Sequence, residues 1–294
     1  MGVRSYMSQR FPPSQVGTVL SGYVCCYLLY GQAHGGQVFG WPAAVGAVSA
    51  VLLSAVRRLV DDVEDLRRDI STGRFSFPDG GRAHLRGLVL GAVALTAAAG
   101  ALNATCGLRL FLVSVGVALW VPLATVIKHL VARPAGSPRS ARLQLFIVNE
   151  TCPAVGLLYP YAVWYQVSGD TLPAMAVVSV IGLFWTTYQF WNFTRKVGTE
   201  SWPPWFLTMD ETRVALIALL ALAAAFSALL TRYAHLPVVY ALYGVLLSAA
   251  FAVAVLRWWA RLPIRQNARV GAAWGGIPFA AGVQAGVLLA LLAS

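Results

Sequence analysis

The sequence predicts an all-α integral membrane protein. Hydrophobic residues make up 58% of the 294 residues and charged residues only 11%, whereas a soluble domain has about 25% charged residues. Apolar runs of about the 20 residues that a helix needs to cross a bilayer recur along the whole chain. We therefore expect a single transmembrane domain over 1–294, with no soluble domain attached.

Nine transmembrane helices are predicted, each from an apolar run bounded by charged residues or by clusters of Gly, Pro and polar residues. In chain order they lie near 15–33, 40–60, 87–105, 109–130, 143–167, 172–194, 212–231, 236–257 and 271–293. Three of the polar segments between them contain most of the remaining sequence information, namely 61–86, 131–142 and 195–210.

The basic residues predict the orientation. With the N-terminus inside, twenty of the 22 Lys and Arg residues lie on the cytoplasmic side, and only Arg109 and Arg232 lie outside. This topology, together with anionic lipid headgroups, accounts for the net charge of +11. We therefore expect membrane lipid around the chain, no nucleic acid partner, and no obligate protein partner.

Acidic residues are concentrated at the end of the second apolar run. Five of the eleven carboxylates fall within nine positions: Asp61, Asp62, Glu64, Asp65 and Asp69. On a helix, Asp61, Asp65 and Asp69 share one face, with Asp62 beside them, and such stacked like charges repel unless a cation lies among them. Mg²⁺ is the natural partner, since it takes one or two carboxylates and completes its shell with water and phosphate oxygens. The alternative is a solvated charged turn neutralised by nearby arginines, among them Arg57 and Arg58.

This acidic run resembles the first signature of the UbiA superfamily of intramembrane prenyltransferases, N-D-x-x-D-x-x-x-D. Here the signature reads D-D-V-E-D-L-R-R-D from Asp61 to Asp69, with Asp in place of the usual Asn. Arg74 occupies the basic position five residues after the last Asp. Lys128, at the inner end of the fourth span, resembles a cationic position that contacts diphosphate in the family.

The second signature of the family, Y-x-x-x-D-x-x-x-D, is altered. Aligned on Tyr188, its two Asp positions hold Asn192 and Lys196. The sequence resembles instead a branch with an E-x-x-R-K signature, although Asn192 replaces the Glu, and the N-terminal Q-R-F-P also fits that branch. Charged Lys196 cannot ligate Mg²⁺, but it and Arg195 can bind phosphate oxygens directly. The alternative is that these two cations only anchor the helix at the membrane surface.

The resemblance implies nine helices around a central cavity for a lipid substrate, capped by cytoplasmic loops. It implies Mg²⁺ held by the carboxylates of the first signature, an isoprenyl diphosphate substrate, and catalytic roles for Asp62 and Asp65. The residues expected to contact the diphosphate are Arg74, Lys128, Asn192, Arg195 and Lys196. Tyr188 and Trp191 are expected to line the cavity and to stabilise a carbocation by cation–π contact; the alternative is that such rings form an interfacial belt.

Glu150 is a further candidate, since it is the one carboxylate that the predicted topology places at membrane depth. An ionisable side chain there has a functional role by default, such as orienting an acceptor or taking a proton. Alternatively, Glu150 lies near enough to the inner surface to pair with Arg142.

Three functions compete. The first is transfer of a prenyl group to an aromatic or other acceptor, and the second is cyclisation, in which the substrate's own alkenes capture the allylic cation. The third is a transporter or scaffold, which the position of the acidic run disfavours because transporter sites lie near the bilayer midplane. The altered second signature, the abundance of aromatic residues and the scarcity of polar groups for a hydrophilic acceptor favour terpene cyclisation.

Overall fold

The computed structural model describes residues 13–71, 82–132, 138–196, 209–259 and 276–294. Within these ranges the chain forms nine helices. They are α1 Pro13–His34, α2 Trp41–Ser71, α3 Arg82–Ala104, α4 Leu108–Ala132, α5 Pro138–Ser168, α6 Ala174–Lys196, α7 Met209–Tyr233, α8 Val238–Trp259 and α9 Ile277–Leu292. The all-α fold is thus confirmed, and each predicted span overlaps one helix.

Six of these helices, α2, α3, α4, α6, α7 and α8, are long and apolar enough to cross a membrane. The chain is therefore an integral membrane protein. The helix α9 is apolar but shorter, with 16 residues. That all nine helices span the bilayer stays a prediction.

Helix α2 is longer than predicted. The second span was predicted to end near position 60, whereas this helix has 31 residues and continues to Ser71, so the acidic run lies on the same continuous helix. At 1.5 Å per residue it is about 46 Å long, against about 30 Å for the hydrocarbon core of a bilayer. Its last turns therefore extend beyond the apolar layer.

The helices form a closed ring in which each contacts the next along the chain and α9 contacts α1. The contacts also repeat with an offset of four helices. The pairs α1–α2, α2–α3, α3–α4, α4–α5 and α2–α5 recur as α5–α6, α6–α7, α7–α8, α8–α9 and α6–α9. Helices α2 and α6, which carry the two signature sequences, thus occupy equivalent places in two similar halves.

A buried polar cluster joins three helices in the interior. Asn103 of α3 donates from Nδ2 to the hydroxyl of Ser49 of α2 at 2.8 Å, and it accepts a hydrogen bond from the hydroxyl of Tyr159 of α5 at 2.8 Å. Tyr159 is almost fully buried, and Asn103 and Ser49 are completely so. Hydrogen bonds between helices contribute modestly to the stability of membrane proteins, on average about 0.6 kcal/mol each.

Candidate active site

We call the end of the bundle that holds the C-terminal halves of α2 and α6 the motif end. The two helices are joined there by Arg57 of α2 and Tyr188 of α6. Arg57 donates from Nη2 to the Tyr188 hydroxyl at 2.7 Å, and its guanidinium carbon lies 5.0 Å from the centre of the Tyr188 ring. Arg57, one turn before the first signature, therefore contacts Tyr188, the first residue of the second signature, across 131 positions of sequence.

On α2 the acidic residues differ in burial. Asp62 is only 4% exposed, whereas Asp61 is exposed. The side of α2 near Asp62 packs on α3, where Leu59 and Leu66 meet Leu88. Since successive residues are about 100° apart around a helix, positions 61, 65, 69 and 62 cover a sector of about 100°, with Asp62 at its packed edge.

The carboxylate of Asp62 lies beside a cation of its own helix. Arg58, one turn earlier, places Nε 3.6 Å from Oδ1 of Asp62. Burying a carboxylate is unfavourable unless it is paired or coordinates a metal, so the fold holds this group in place at an energetic cost. Removal of one partner of a buried pair is in general strongly destabilising, because the other charge then remains uncompensated.

On α6, the positions of the second signature line one side of the helix. The rings of Tyr188 and Trp191 meet nearly edge to face, with centroids 5.8 Å apart and an interplanar angle of 69°. Asn192, one turn after Tyr188, is 6% exposed. Tyr188 itself is half-buried. Two aromatic rings and an amide of α6 thus lie within about one helical turn of the contact with Arg57.

The start of α9 closes one side of this aromatic pair. A Cβ built on Gly276, the residue before α9, would lie 2.8 Å from the Cα of Trp191 and 2.6 Å from Oγ1 of Thr194. These distances are shorter than real Cβ contacts, so the backbone of Gly276 approaches α6 more closely than any other residue type would permit. The packing of Trp191 thus depends on Gly276.

Several predicted site residues cannot be placed. Arg74 lies outside the described residues. Asp65, Asp69, Lys128, Glu150, Arg195 and Lys196 belong to α2, α4, α5 and α6, but their side chains lie outside the description. Their roles stay predictions.

Among the described side chains there is no group of three or more His, Cys, Asp or Glu that could hold a metal ion. Asp61 and Asp62 nevertheless fit Mg²⁺ as a donor set, since this ion commonly uses one or two protein carboxylates and takes its remaining ligands from water and phosphate.

Sequence reasoning missed the contact between Arg57 and Tyr188. It treated Arg57 as one of several cations that neutralise the acidic run. The signal in the sequence was its position, since Arg57 precedes Asp61 by one helical turn and so lies nearer the apolar layer. The role of Gly276 was missed as well, because the pair Gly275–Gly276 before an apolar run indicates a helix boundary but not which helix its backbone approaches.

No protein-family model and no curated protein matches this sequence. Solved structures do match in fold. A UbiA homolog from Archaeoglobus fulgidus is similar with a TM-score of 0.61 and 13% identity over 97% of this chain and 98% of the homolog. This chain has the UbiA fold.

Two further structures of a UbiA homolog from that organism are similar to this UbiA-fold chain. One is bound to GPP and Mg²⁺ and has a TM-score of 0.58 and 14% identity over 97% of this chain and 99% of the homolog. The other is bound to DMAPP and Mg²⁺ and has a TM-score of 0.56 and 15% identity over 95% of this chain and 99% of the homolog. The all-α UbiA fold is thereby confirmed, while nine membrane-spanning helices around a cavity capped by cytoplasmic loops stay a prediction.

Proposed function

We propose that this chain is a Mg²⁺-dependent enzyme of the UbiA superfamily that ionises an isoprenyl diphosphate within the membrane and cyclises the resulting cation. The observation that supports this most is the contact of Arg57, one turn before the acidic run of α2, with Tyr188 of α6, within the UbiA fold. UbiA homologs of this fold bind GPP or DMAPP together with Mg²⁺. The nine helices would form one domain over 1–294, as the closed ring of described helices supports.

The carboxylates of Asp61, Asp62, Asp65 and Asp69 would hold Mg²⁺. When bound, the ion stabilises the negative charge that develops on the leaving diphosphate. Arg74, Lys128, Asn192, Arg195 and Lys196 would contact the diphosphate oxygens. The use of Arg195 and Lys196 in place of a second pair of carboxylates follows from their charge, since a guanidinium fork and an ammonium bind phosphate directly.

Tyr188 and Trp191 would act on the carbocation that forms when the bond between carbon and oxygen breaks. Their negative ring faces stabilise a nearby carbocation by about 0.5–2 kcal/mol each. The surrounding apolar helices exclude water that would capture the cation. Glu150 would accept the proton that the cyclised cation loses. In the predicted orientation, with the N-terminus inside, the diphosphate would enter from the cytoplasm and the prenyl chain would extend into the bilayer.

The test is incubation of purified protein with Mg²⁺ and isoprenyl diphosphates of two to five isoprene units, without an acceptor, followed by analysis of the hydrocarbon extract. We expect a cyclic terpene and inorganic diphosphate. Diphosphate release that requires an added aromatic acceptor, with a prenylated product and no terpene, would establish prenyl transfer instead. An absence of turnover with every substrate and acceptor would favour a transporter or scaffold.

The metal site is tested separately with Asp62→Asn, which keeps the size of the side chain. We expect turnover to fall roughly a hundredfold or more, and chelation by EDTA to produce a loss that Mg²⁺ reverses. Asp170→Asn is the control, since Asp170 lies in the link between α5 and α6, away from the motif end, with its carboxylate 3.0 Å from His34. Full activity in EDTA would rule out a metal requirement.

A further inference from the structure

Arg57 is a group at the motif end to which neither signature assigns a role. It is one turn before Asp61 on α2, and at 1.5 Å per residue this puts it about 6 Å nearer the bilayer centre. Its guanidinium has two contacts with one ring, the hydrogen bond to the Tyr188 hydroxyl and the approach to the Tyr188 face. Two contacts with the same residue fix both the position and the tilt of the guanidinium plane.

The position of Arg57 matters for a substrate that spans the polar and apolar layers. The proposed function, on which this inference rests, puts the diphosphate at the acidic run and the prenyl chain towards the bilayer centre. The oxygen that links phosphorus to the first prenyl carbon then lies on the bilayer side of the acidic run, at the depth of Arg57. Among the described side chains of α2 and α6, no arginine or lysine lies nearer the bilayer centre than Arg57.

We propose that Arg57 binds the diphosphate at this linking oxygen and that Tyr188 is the residue that positions Arg57. During ionisation the bond between carbon and oxygen breaks and both electrons go to the oxygen, so the products are inorganic diphosphate and an allylic cation. The charge on the linking oxygen rises during this step, and a preoriented N–H donor stabilises it more in the transition state than in the substrate. A guanidinium has five N–H donors in a rigid fork, so one can serve Tyr188 while others serve the phosphate.

Tyr188 therefore has a role besides the one expected from its ring. A ring that faces a guanidinium has part of its negative potential compensated, which weakens its attraction for a second cation. Trp191 meets Tyr188 with a nearly perpendicular ring and contacts Gly276 on its other flank. Of the two rings, Trp191 is consequently the one that guides the carbocation, and Tyr188 acts mainly through Arg57.

The competing explanation is that Arg57 and Tyr188 only fasten α2 to α6. The chain offers a matched control for it. Arg109 of α4 lies over the ring of Tyr165 of α5, with its guanidinium carbon 4.7 Å from the ring centre, at the opposite end of the bundle. This second pair also joins two helices through an arginine and a tyrosine, but it is remote from the motif end.

The experiment measures inhibition of turnover by two probes, inorganic diphosphate and a prenyl alcohol, in the purified full-length protein. For Arg57→Gln we expect the inhibition constant of inorganic diphosphate to rise about ten- to a hundredfold, the scale of a charge-assisted hydrogen bond. The inhibition constant of the alcohol should stay within about twofold, since a neutral probe does not use the guanidinium. Arg57→Lys, which keeps the charge but not the fork, should give an intermediate loss.

Tyr188→Phe tests the positioning role, because it removes the hydroxyl and keeps the ring. It should raise the inhibition constant of inorganic diphosphate roughly three- to tenfold in the wild-type background and have no further effect in the Arg57→Gln background. Arg109→Gln and Tyr165→Phe should leave the inhibition constants of both probes within about twofold of the wild-type values. Thermal unfolding of every variant identifies losses of inhibition that come from misfolding. If Arg57→Gln is misfolded, Arg57→Lys is used in its place.

Four outcomes would contradict these roles. Equal losses for both probes, or a loss in Arg57→Gln no larger than in Arg109→Gln, would show that Arg57 is only structural. An undiminished effect of Tyr188→Phe in the Arg57→Gln background would show that the tyrosine acts independently. If the wild type neither turns over a prenyl diphosphate nor binds inorganic diphosphate, the proposed function itself is wrong, and the role of Arg57 is wrong with it.

Discussion

The close approach of Gly276 to α6 makes Gly276→Ala a sharp test of the aromatic site. The backbone of Gly276 has φ −68° and ψ −50°, which alanine adopts without strain, so the substitution acts through space alone. The added methyl would lie 2.8 Å from the Cα of Trp191 and 2.6 Å from Oγ1 of Thr194. A backbone atom cannot rotate away, so either α9 or the Trp191 turn of α6 must shift.

The magnitude follows from overpacking. Forcing a methyl group into a well-packed interior costs typically 1–3 kcal/mol, and up to about 1 kcal/mol of this is offset because alanine loses less backbone entropy than glycine. With the full offset, we expect Gly276→Ala to lower the free energy of unfolding by up to about 2 kcal/mol. Since Trp191 is the displaced group, the variant should also give a larger share of linear or prematurely quenched products than the wild type.

The assay is thermal or denaturant unfolding in detergent, followed by product analysis of the folded fraction. Gly116→Ala is the control, because Gly116 lies within α4, is exposed, and a Cβ there meets no atom within 4 Å. That substitution should be neutral or slightly stabilising, with unchanged products. The packing argument would be refuted if Gly276→Ala and Gly116→Ala shifted stability by the same amount in the same direction.

Three further predictions follow from the site and the core. Lys196→Ala should lower kcat/KM roughly ten- to a hundredfold if its ammonium binds diphosphate, whereas loss of a mere anchoring charge would leave the specific rate of correctly inserted enzyme near that of the wild type. Trp191→Ala should redirect the products without abolishing diphosphate release; an unchanged product profile with a strict acceptor requirement would instead favour prenyl transfer. Asn103→Leu should lower the free energy of unfolding by about 1–3 kcal/mol, because the buried Tyr159 hydroxyl loses its acceptor. Tyr159→Phe should lower it by less. Equal stability of Asn103→Leu and wild type would show that the buried cluster contributes nothing.

The helices were predictable from the sequence because lipid leaves few options. A backbone within the bilayer must satisfy its hydrogen bonds internally, so each apolar run of sufficient length becomes a helix. The register of the acidic run was also predictable, since it depends only on helical spacing. The extension of α2 to Ser71 was not, because ten charged or polar residues at 57–71 disguise the continuation of the helix.

The rotation of each helix was the part that apolar patterns could not provide. Exposed positions on the membrane helices, such as Leu90 and Leu246, are as apolar as the buried Leu183 and Leu220, so the sequence does not distinguish the two environments. In a soluble protein the polar face of a helix would have identified the outward side. The contacts of Arg57 with Tyr188 and of Gly276 with Trp191 depend on that rotation, and only the three-dimensional structure reveals them.

The length of α2 makes bilayer thickness a variable of the proposed reaction. A rigid helix of about 46 Å fixes the distance between its first turn, which begins at Trp41 on the far side, and its acidic end. Unless the helix tilts, a thicker membrane brings that end into the hydrocarbon layer and a thinner membrane leaves it in water. Reconstitution in lipids of increasing acyl-chain length should therefore show an optimum in activity, and a flat response would mean that tilting absorbs the mismatch. If activity has such an optimum, membrane thickness determines the depth at which the carboxylates of α2 meet the lipid substrate.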